Sequence, residues 1–329
     1  MYNLGVSLFK FIKVQLISVL VITVTFIVPS ASAVVGMDRP LRTGEARWVG
    51  SLVGWYPDEG WSSFCTGSLI APRIVLTAAH CVMDANNQES WKINIGQSAQ
   101  DAADGQLINV VGAIYHSKYE EQQSYDLIDV DTKEVIKSVV GYVAPGESEL
   151  DADVALLLLE KPVVGIEPVK IARHTTPLSP GWRVYGWGFT STSDYKGSNV
   201  LNTTSVADAT TEFSEMINDP MTNMIAAYLE DEAGVVHTTC FGDSGGPLVD
   251  GKGIVIGITS FSFAETCEEA APTVYTKVAS YRSWIYRATV KMTRMVENNP
   301  GPVLSEEYAS VVDKLGSKVY HQIRILKTR

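Results

Sequence analysis

Hydrophobic and polar positions along most of the chain follow a pattern typical of short β-strands. From about residue 47 to residue 286, apolar runs of strand length alternate with turns rich in Gly, Pro, Asn, Asp and Ser. Because few amphipathic helical stretches separate these runs, the pattern predicts an all-β barrel or sandwich. The clearest predicted strands cover residues 73–76, 107–115, 154–159, 183–185 and 253–259.

The hydrophobic period changes near the C-terminus and predicts a helix over residues 281–296. The apolar residues that recur there at helical spacing are Trp284, Ile285, Ala288, Met292 and Met295. The sequence Asn-Asn-Pro-Gly-Pro at 298–302 ends this helix. We interpret residues 288–329 as a C-terminal extension of unknown role, with a short helix around residues 308–315 and a strand over 319–326.

The N-terminus has the composition of a secretory signal peptide. Lys10 and Lys13 precede the uncharged apolar run 14–28, and Ala31-Ser32-Ala33 follows it. The order predicts cleavage after Ala33 and localisation outside the cell or in the periplasm. An uncleaved membrane anchor is the alternative, although the run is short for a span of about 20 residues. No later segment is apolar enough to cross a bilayer, so we expect no stable membrane insertion after signal removal.

Composition and charge limit the classes of partner that the protein is expected to bind. The 329 residues are 46% hydrophobic, as in a globular protein, and carry a formal net charge of −11. An acidic surface argues against nucleic acid or an anionic membrane as a partner. Residues 119–151 are richly acidic and contain few strong apolar runs. This segment is expected to be a long surface insertion.

Three local sequences could together carry nucleophilic catalysis. They place His80 after an apolar strand, Asp153 before a strand apolar enough to be buried, and Ser244 in a glycine-rich turn. A serine hydroxyl is a poor nucleophile until a base takes its proton, and imidazole is suited to this near neutral pH. The imidazole in turn needs a carboxylate that holds its tautomer and stabilises its positive charge. Each residue alone also fits a structural role, but the combination predicts a hydrolase.

The motifs around these residues resemble the signatures of the chymotrypsin-like serine proteases. They are Thr-Ala-Ala-His-Cys at 77–81, Asp-Val-Ala-Leu-Leu at 153–157 and Gly-Asp-Ser-Gly-Gly-Pro at 242–247. Their order His, Asp, Ser is the reverse of the α/β-hydrolase order. Supporting matches are Cys-Thr-Gly-Ser-Leu-Ile at 65–70, Gly-Trp-Gly at 186–188 and Pro-Thr-Val-Tyr-Thr at 272–276. The resemblance covers residues 34–287 and suggests a secreted member of the bacterial type.

The resemblance implies a fold and a division of roles. The fold would be two six-stranded antiparallel β-barrels with a C-terminal helix and a short C-terminal extension. Ser244 would attack the peptide carbonyl, His80 would act as general base and then acid, and Asp153 would orient His80, with Asp151 as the alternative carboxylate. Backbone N–H groups of Gly242 and Ser244 would bind the oxyanion. This chemistry requires no metal and no organic cofactor.

Four cysteines allow three disulfide pairings in an exported protein. We predict Cys65–Cys81 and Cys240–Cys267, because each pair brackets a segment assigned a function above. The resemblance implies the same pairs, the first bracing the histidine and the second the substrate pocket. A metal site is a weak alternative, because no two cysteines have ligand spacing and no histidine pair accompanies them.

The resemblance also implies where a substrate side chain would bind. The pocket base lies six residues before the nucleophile, at Thr238, where a trypsin-like enzyme has Asp. Ser262 and Thr273 lie on the pocket wall, where they would narrow it, and Ser260 begins a segment suited to pairing with an extended peptide. We therefore expect cleavage after small or medium uncharged residues. Loop shifts that move these side chains are the alternative.

Members of this family become active when a new N-terminal amine pairs with the Asp before the nucleophile, here Asp243. The sequence Val-Val-Gly-Met at 34–37 follows the predicted signal cleavage, so we predict that Val34 supplies this amine. A cut after Arg42 is the alternative. We expect a monomer that acts on protein or peptide substrates. Other readings are a catalytically inactive protease-fold protein with a binding or regulatory role, and an esterase with the same triad.

Overall fold

The computed structural model describes residues 41, 44–56, 60–84, 91–97, 99, 104–116, 118–119, 123–128, 135–141, 152–174, 178–189, 198–217, 221–230, 234, 236–298 and 323–325. Several predictions fall outside the described residues: the signal peptide 1–33, the new N-terminus Val34, the alternative cut after Arg42, the alternative carboxylate Asp151 and the short helix at 308–315.

The described elements are mostly β-strands. In chain order they are β1 (Val49–Tyr56), β2 (Gly60–Ala71), β3 (Ile74–Thr77), α1 (Ala79–Asp84), β4 (Trp91–Ile95), β5 (Gln106–Tyr115), β6 (Gln123–Ile128), β7 (Val135–Gly141), β8 (Ala155–Leu159), β9 (Trp182–Gly186), β10 (Asn202–Asp208), α2 (Thr210–Ile217), β11 (Met224–Glu230), β12 (Val236–His237), β13 (Pro247–Val249), β14 (Val255–Ser262), β15 (Thr273–Lys277), α3 (Val278–Asn298) and β16 (Ile323–Ile325).

Six antiparallel strands form a first closed barrel. Their order is β5-β4-β1-β2-β3-β8, and the barrel closes because β5 also pairs with β8. The strand β8 is buried along its whole length, which explains its unbroken run of apolar residues. The short strand β16 adds to β5 through the register Ile323↔Ile114.

A second barrel is built in the same way. Its strands follow the order β10-β9-β13-β14-β15-β11, and pairing between β10 and β11 closes it. The two-residue strand β12 extends β11. The predicted pair of six-stranded antiparallel barrels is therefore confirmed.

The C-terminal helix packs on the first barrel through aromatic contacts. The His116 ring lies edge-on to Tyr281 and Trp284, with ring centroids 5.1 Å and 5.3 Å apart. The helix begins three residues before the sequence analysis placed it, directly after β15. No helix within the part of the chain that the structure describes is long and apolar enough to span a membrane.

The acidic insertion contains more regular structure than its composition indicated. The strands β6 and β7 pair as an antiparallel hairpin, and β6 lies against α2 of the second barrel.

Neither α1 nor α2 was predicted, because helices of six and eight residues are too short to show a clear hydrophobic period.

Candidate active site

The histidine position is fixed by a strand, a helix and a disulfide. The buried strand β3 ends at Thr77, and His80 is the second residue of the helix α1. Cys81 is disulfide-bonded to Cys65 of β2. The imidazole is therefore held at the end of the first barrel, with only 5% of His80 exposed.

The carboxylate of Asp153 contacts both the backbone and the ring of His80. Asp153 precedes β8 and is 1% exposed. The backbone N–H of His80 donates to Asp153 Oδ1 at 2.9 Å, and His80 Nδ1 lies 2.8 Å from Asp153 Oδ2. The hydroxyl of Ser260 donates to Oδ2 at 2.6 Å, and that of Thr276 donates to the Asp153 backbone carbonyl at 3.1 Å. Two strands of the second barrel, β14 and β15, thus help to hold a carboxylate of the first.

The electrostatics of this pair set the tautomer of His80. Burial by itself raises the pKa of Asp153, but the charge of His80 and hydrogen bonds from His80 and Ser260 outweigh it, so the net pKa is below its ordinary value. The carboxylate is therefore ionised at neutral pH and can only accept a hydrogen bond. His80 Nδ1 carries the proton, which makes Nε2 the basic nitrogen of the neutral ring.

Ser244 lies in a sharp turn between the two barrels. The neighbouring Gly242 and Gly245 have φ angles of +93° and +78°, a region that strongly favours glycine. The Ser244 carbonyl accepts a hydrogen bond from the backbone N–H of Thr66 at 2.8 Å, and Gly245 N–H donates to the Thr259 carbonyl at 2.8 Å. Half-buried Ser244 is thereby placed beside the first barrel.

Two chains of contacts connect this turn to the His80–Asp153 pair. Gly245 and Asp153 bond to consecutive residues of β14, Thr259 and Ser260. In the second chain of contacts, the Ser244 carbonyl accepts a hydrogen bond from Thr66 N–H. Thr66 directly follows Cys65, which is disulfide-bonded to Cys81, the residue after His80. The turn that carries Ser244 is thus hydrogen-bonded to the same strands that hold the His80–Asp153 pair.

Asp243 is buried behind the serine turn. Its Oδ1 accepts a hydrogen bond from Gly188 N–H and its Oδ2 one from Cys240 N–H, both at 2.9 Å. A side chain on Gly188 would collide with the carboxylate. The ion pair with Val34 stays a prediction, because Val34 is outside the described residues.

The residues expected to form the substrate pocket are joined by their hydroxyl groups. Thr238 Oγ1 lies 2.5 Å from Ser262 Oγ and 3.3 Å from Thr273 Oγ1. Thr239, which the sequence analysis did not select, places its Oγ1 3.1 Å from the same Thr273 oxygen. Ser262 Oγ also accepts a hydrogen bond from Ala264 N–H at 3.1 Å. The cluster is flanked by the disulfide Cys240–Cys267.

Three further hydroxyl groups contact the site, those of Ser260, Thr66 and Thr276. The hydroxyl of Ser260, a residue expected at the substrate pocket, donates to Asp153, while the pairing of its segment with an extended peptide stays a prediction. Thr66 and Thr276 contact the site through hydroxyl groups, although neither was selected from the sequence. Both residues lie within matched motifs, at 65–70 and 272–276, and this membership is the sequence signal that pointed to them.

One group of possible metal ligands occurs among the described residues: Cys65, His80 and Cys81. The two sulfur atoms are bonded to each other and so cannot act as thiolate ligands. His80 Nδ1 is bonded to Asp153. This group therefore lacks the donor set of a metal site.

Comparison with known proteins agrees with this arrangement. The family model for trypsin matches residues 37–285. Trypsin 5G1 of Aedes aegypti is 31% identical over 291 residues, covering 81% of this chain and 96% of that relative. Granzyme M of Homo sapiens is 29% identical over 243 residues, covering 69% of this chain and 80% of that relative.

One solved structure has the same fold, and nearly the whole of its chain superposes on this protein. Neuropsin, a serine protease expressed in the limbic system of mouse brain, superposes with a TM-score of 0.57 and 25% sequence identity. The match covers 77% of this chain and 98% of that chain. These relatives come from animals, so they give no support to the expected bacterial type.

The chain belongs to the trypsin family of serine proteases. It is a serine endopeptidase, and the substrates of such an enzyme are proteins or peptides.

Proposed function

We propose that this chain is a secreted serine endopeptidase that uses His80, Asp153 and Ser244 and cleaves after small or medium uncharged residues. The observation that carries the catalytic assignment is the buried Asp153 carboxylate, which bonds both the backbone N–H and Nδ1 of His80. A carboxylate held in this way fixes the imidazole with its basic nitrogen available for a serine hydroxyl.

The proposed reaction proceeds through an acyl-enzyme. Ser244 Oγ attacks the scissile carbonyl carbon while His80 Nε2 takes the hydroxyl proton, and the carbonyl electron pair moves onto oxygen. N–H groups of Gly242 and Ser244 stabilise that oxyanion. The C–N bond then breaks as His80 returns its proton to the leaving amine. Water, deprotonated by His80, attacks the ester carbonyl, and Ser244 leaves with the proton.

The hydroxyl cluster supports the proposed preference. Thr238 hydrogen-bonds to both Ser262 and Thr273 across the predicted pocket, so the three side chains occupy space that a long substrate side chain would need. None of the three carries a negative charge to pair with Arg or Lys. A small or medium apolar side chain leaves these hydroxyl groups satisfied by each other, which avoids the cost of an unpaired buried polar group.

Secretion, processing and assembly are parts of the same proposal. The basic, apolar and Ala-x-Ala order of residues 1–33 supports export and cleavage after Ala33. The protease domain would then cover residues 34–287, with Val34 supplying the activating amine to Asp243. We propose that the mature enzyme acts as a monomer.

Labelling with a fluorophosphonate, followed by a protein-substrate assay, tests the catalytic assignment. We expect wild-type protein to be labelled and to cleave the substrate, and Ser244→Ala to lose labelling and turnover, the latter by roughly 10⁶-fold. The exposed Ser283 on α3 offers a matched control, because Ser283→Ala should change neither measurement. Labelling without proteolysis would favour an esterase, and no labelling would favour an inactive binding protein.

Cleavage of a peptide library tests the proposed preference for a small or medium uncharged residue before the cleaved bond. Enrichment of Ala, Val or another small uncharged residue before the cleaved bond is expected. Dominant cleavage after Arg or Lys would exclude the proposed pocket.

A further inference from the structure

Thr66 is a fully buried residue of β2 that contacts the serine turn with both its backbone and its side chain. Its backbone N–H donates to the Ser244 carbonyl at 2.8 Å. Its hydroxyl donates to the Gly242 carbonyl at 2.8 Å and accepts a hydrogen bond from Trp187 N–H at 3.2 Å. A hydroxyl group that both donates and accepts in this way has its orientation fixed.

The two peptide groups that flank Gly242 are each anchored through their carbonyl oxygen. The Phe241 carbonyl accepts a hydrogen bond from Phe189 N–H at 2.7 Å. In a planar trans peptide the N–H of Gly242 points away from that carbonyl, so this bond directs the N–H. The Gly242 carbonyl, in the next peptide, is the one that accepts from Thr66. Of these two anchors, only the second depends on a side chain.

Glycine at this position makes the anchors necessary. Gly242 has φ +93°, and a glycine populates more backbone conformations than any other residue. The Gly242–Asp243 peptide is also bonded at its other end, where Asp243 N–H donates to the Cys240 carbonyl at 3.0 Å. The Thr66 hydroxyl therefore supplies the second bond that fixes the tilt of this peptide between the Gly242 and Ser244 N–H groups. Oxyanion stabilisation depends on such donors being aligned before the reaction.

We propose that Thr66 is a positioning residue for the oxyanion site, whose hydroxyl fixes the Gly242–Asp243 peptide and thereby aligns the Gly242 and Ser244 N–H groups. The inference rests on the proposed function of these groups and assigns a role to a residue outside the triad, the pocket and the oxyanion donors themselves.

Removal of the hydroxyl leaves the Gly242 carbonyl and Trp187 N–H without this buried partner. Complete loss of one oxyanion donor lowers kcat by roughly 10²–10³-fold. A donor that is displaced rather than lost should cost less, and we expect Thr66→Val to lower kcat about tenfold. KM should stay within about twofold, because the lost interaction forms in the transition state.

The experiment compares Thr66→Val with Thr66→Ser, which keeps the hydroxyl. Thr203→Val is the matched control, because Thr203 is also fully buried and its hydroxyl accepts a hydrogen bond from Arg183 Nε at 3.1 Å. For each protein we would measure kcat, KM, the pH profile and the affinity for a peptide aldehyde, whose adduct with serine carries an oxyanion. Thr66→Val should lose aldehyde affinity by the same factor as kcat, with an unchanged pH profile. Thr66→Ser and Thr203→Val should stay within about twofold of wild type.

Three results would overturn the inference: unchanged kcat and aldehyde affinity in Thr66→Val, an equal loss in Thr66→Ser, or a rise in KM with kcat unchanged. If Thr66→Val does not fold, Thr66→Ala is measured against Thr66→Ser by the same criteria. A wild-type chain that neither reacts with fluorophosphonate nor cleaves substrate overturns the proposed function, a result distinguishable from any specific to Thr66.

Discussion

Ser260→Ala tests whether the second barrel stabilises the catalytic carboxylate through a single hydroxyl group. The Ser260 hydroxyl donates to Asp153 Oδ2 at 2.6 Å in a buried environment. A hydrogen bond to a charged group contributes about 1.5–3 kcal/mol to stability. Because this hydrogen bond favours the ionised carboxylate, its loss would raise the folded-state pKa of Asp153 towards its ordinary value. His80 keeps both of its bonds to the carboxylate, so kcat should fall at most roughly tenfold.

The sign of the pH dependence follows from the lowered pKa of Asp153. The pKa of Asp153 is lower in the folded than in the unfolded protein, where it is about 3.9. Such a carboxyl group contributes its full stabilisation at pH values above the unfolded-state pKa. The stabilisation is lost as the pH falls through the folded-state pKa. Ser260→Ala should therefore destabilise the protein by about 1.5–3 kcal/mol at pH 7, and by less once the pH falls through the raised folded-state pKa of the variant's Asp153, where protonation removes the charge.

Urea unfolding of wild type and variant at pH 7, 5 and 3 measures this difference. Ser262→Ala is a matched control on the same strand, because its hydroxyl bonds the neutral Thr238 hydroxyl at 2.5 Å. Its cost should be about 0.5–1.5 kcal/mol and independent of pH over this range. The same titration is extended to the pH at which wild type itself unfolds, and a loss for Ser260→Ala that stays equal over this whole range would show that Ser260 acts through packing and would refute the electrostatic argument.

Other features of the chain give equally specific expectations. Ser262→Gly with Thr273→Gly should open the hydroxyl cluster and raise kcat/KM for peptides with Phe before the cleaved bond, relative to Ala; no change in this ratio would place the pocket elsewhere. Replacing Cys240 and Cys267 by Ser opens a loop with a sequence separation of 27 residues and should lower the free energy of unfolding by about 3.5 kcal/mol, measured by denaturant titration. A loss below 1 kcal/mol would mean that the loop stays closed without the bond. N-terminal sequencing of the active protein should give Val-Val-Gly-Met, and a start after Arg42 would exclude activation by signal cleavage.

The barrel architecture was predictable because strand pattern and motif order report on the same fold. The run 154–159 is apolar at every position, and its β8 counterpart is buried at every position. The first and last residues of the strands were less predictable than the architecture. The run 253–259 begins two residues before β14, since Gly253 has φ +72° and belongs to the preceding turn.

Residues of the candidate site were predictable only where the family resemblance assigned them a role. His80 and Asp153 were selected together, and the structure places them 2.8 Å apart. Thr66 and Thr276 act through hydroxyl groups whose partners lie 176 and 123 residues away. A contact of this kind leaves no local period, because it depends on how the two barrels pack. The bond from the Ser260 hydroxyl to Asp153 was not predicted for the same reason: a strand residue next to the pocket can face either the pocket or the carboxylate.

The contacts of β2 suggest why the two barrels must be correctly packed before the enzyme can act. Consecutive residues Cys65 and Thr66 connect to three parts of the site: the disulfide next to His80, the Ser244 carbonyl and the Gly242 carbonyl. The first connection stays within one barrel, whereas the other two cross to the second. A small shift between the barrels would therefore displace the proposed nucleophile Ser244 and the proposed oxyanion donors relative to His80 while each barrel kept its own core. Since catalysis depends on donor alignment and stability depends mainly on burial, such a shift should lower kcat before it lowers the melting temperature.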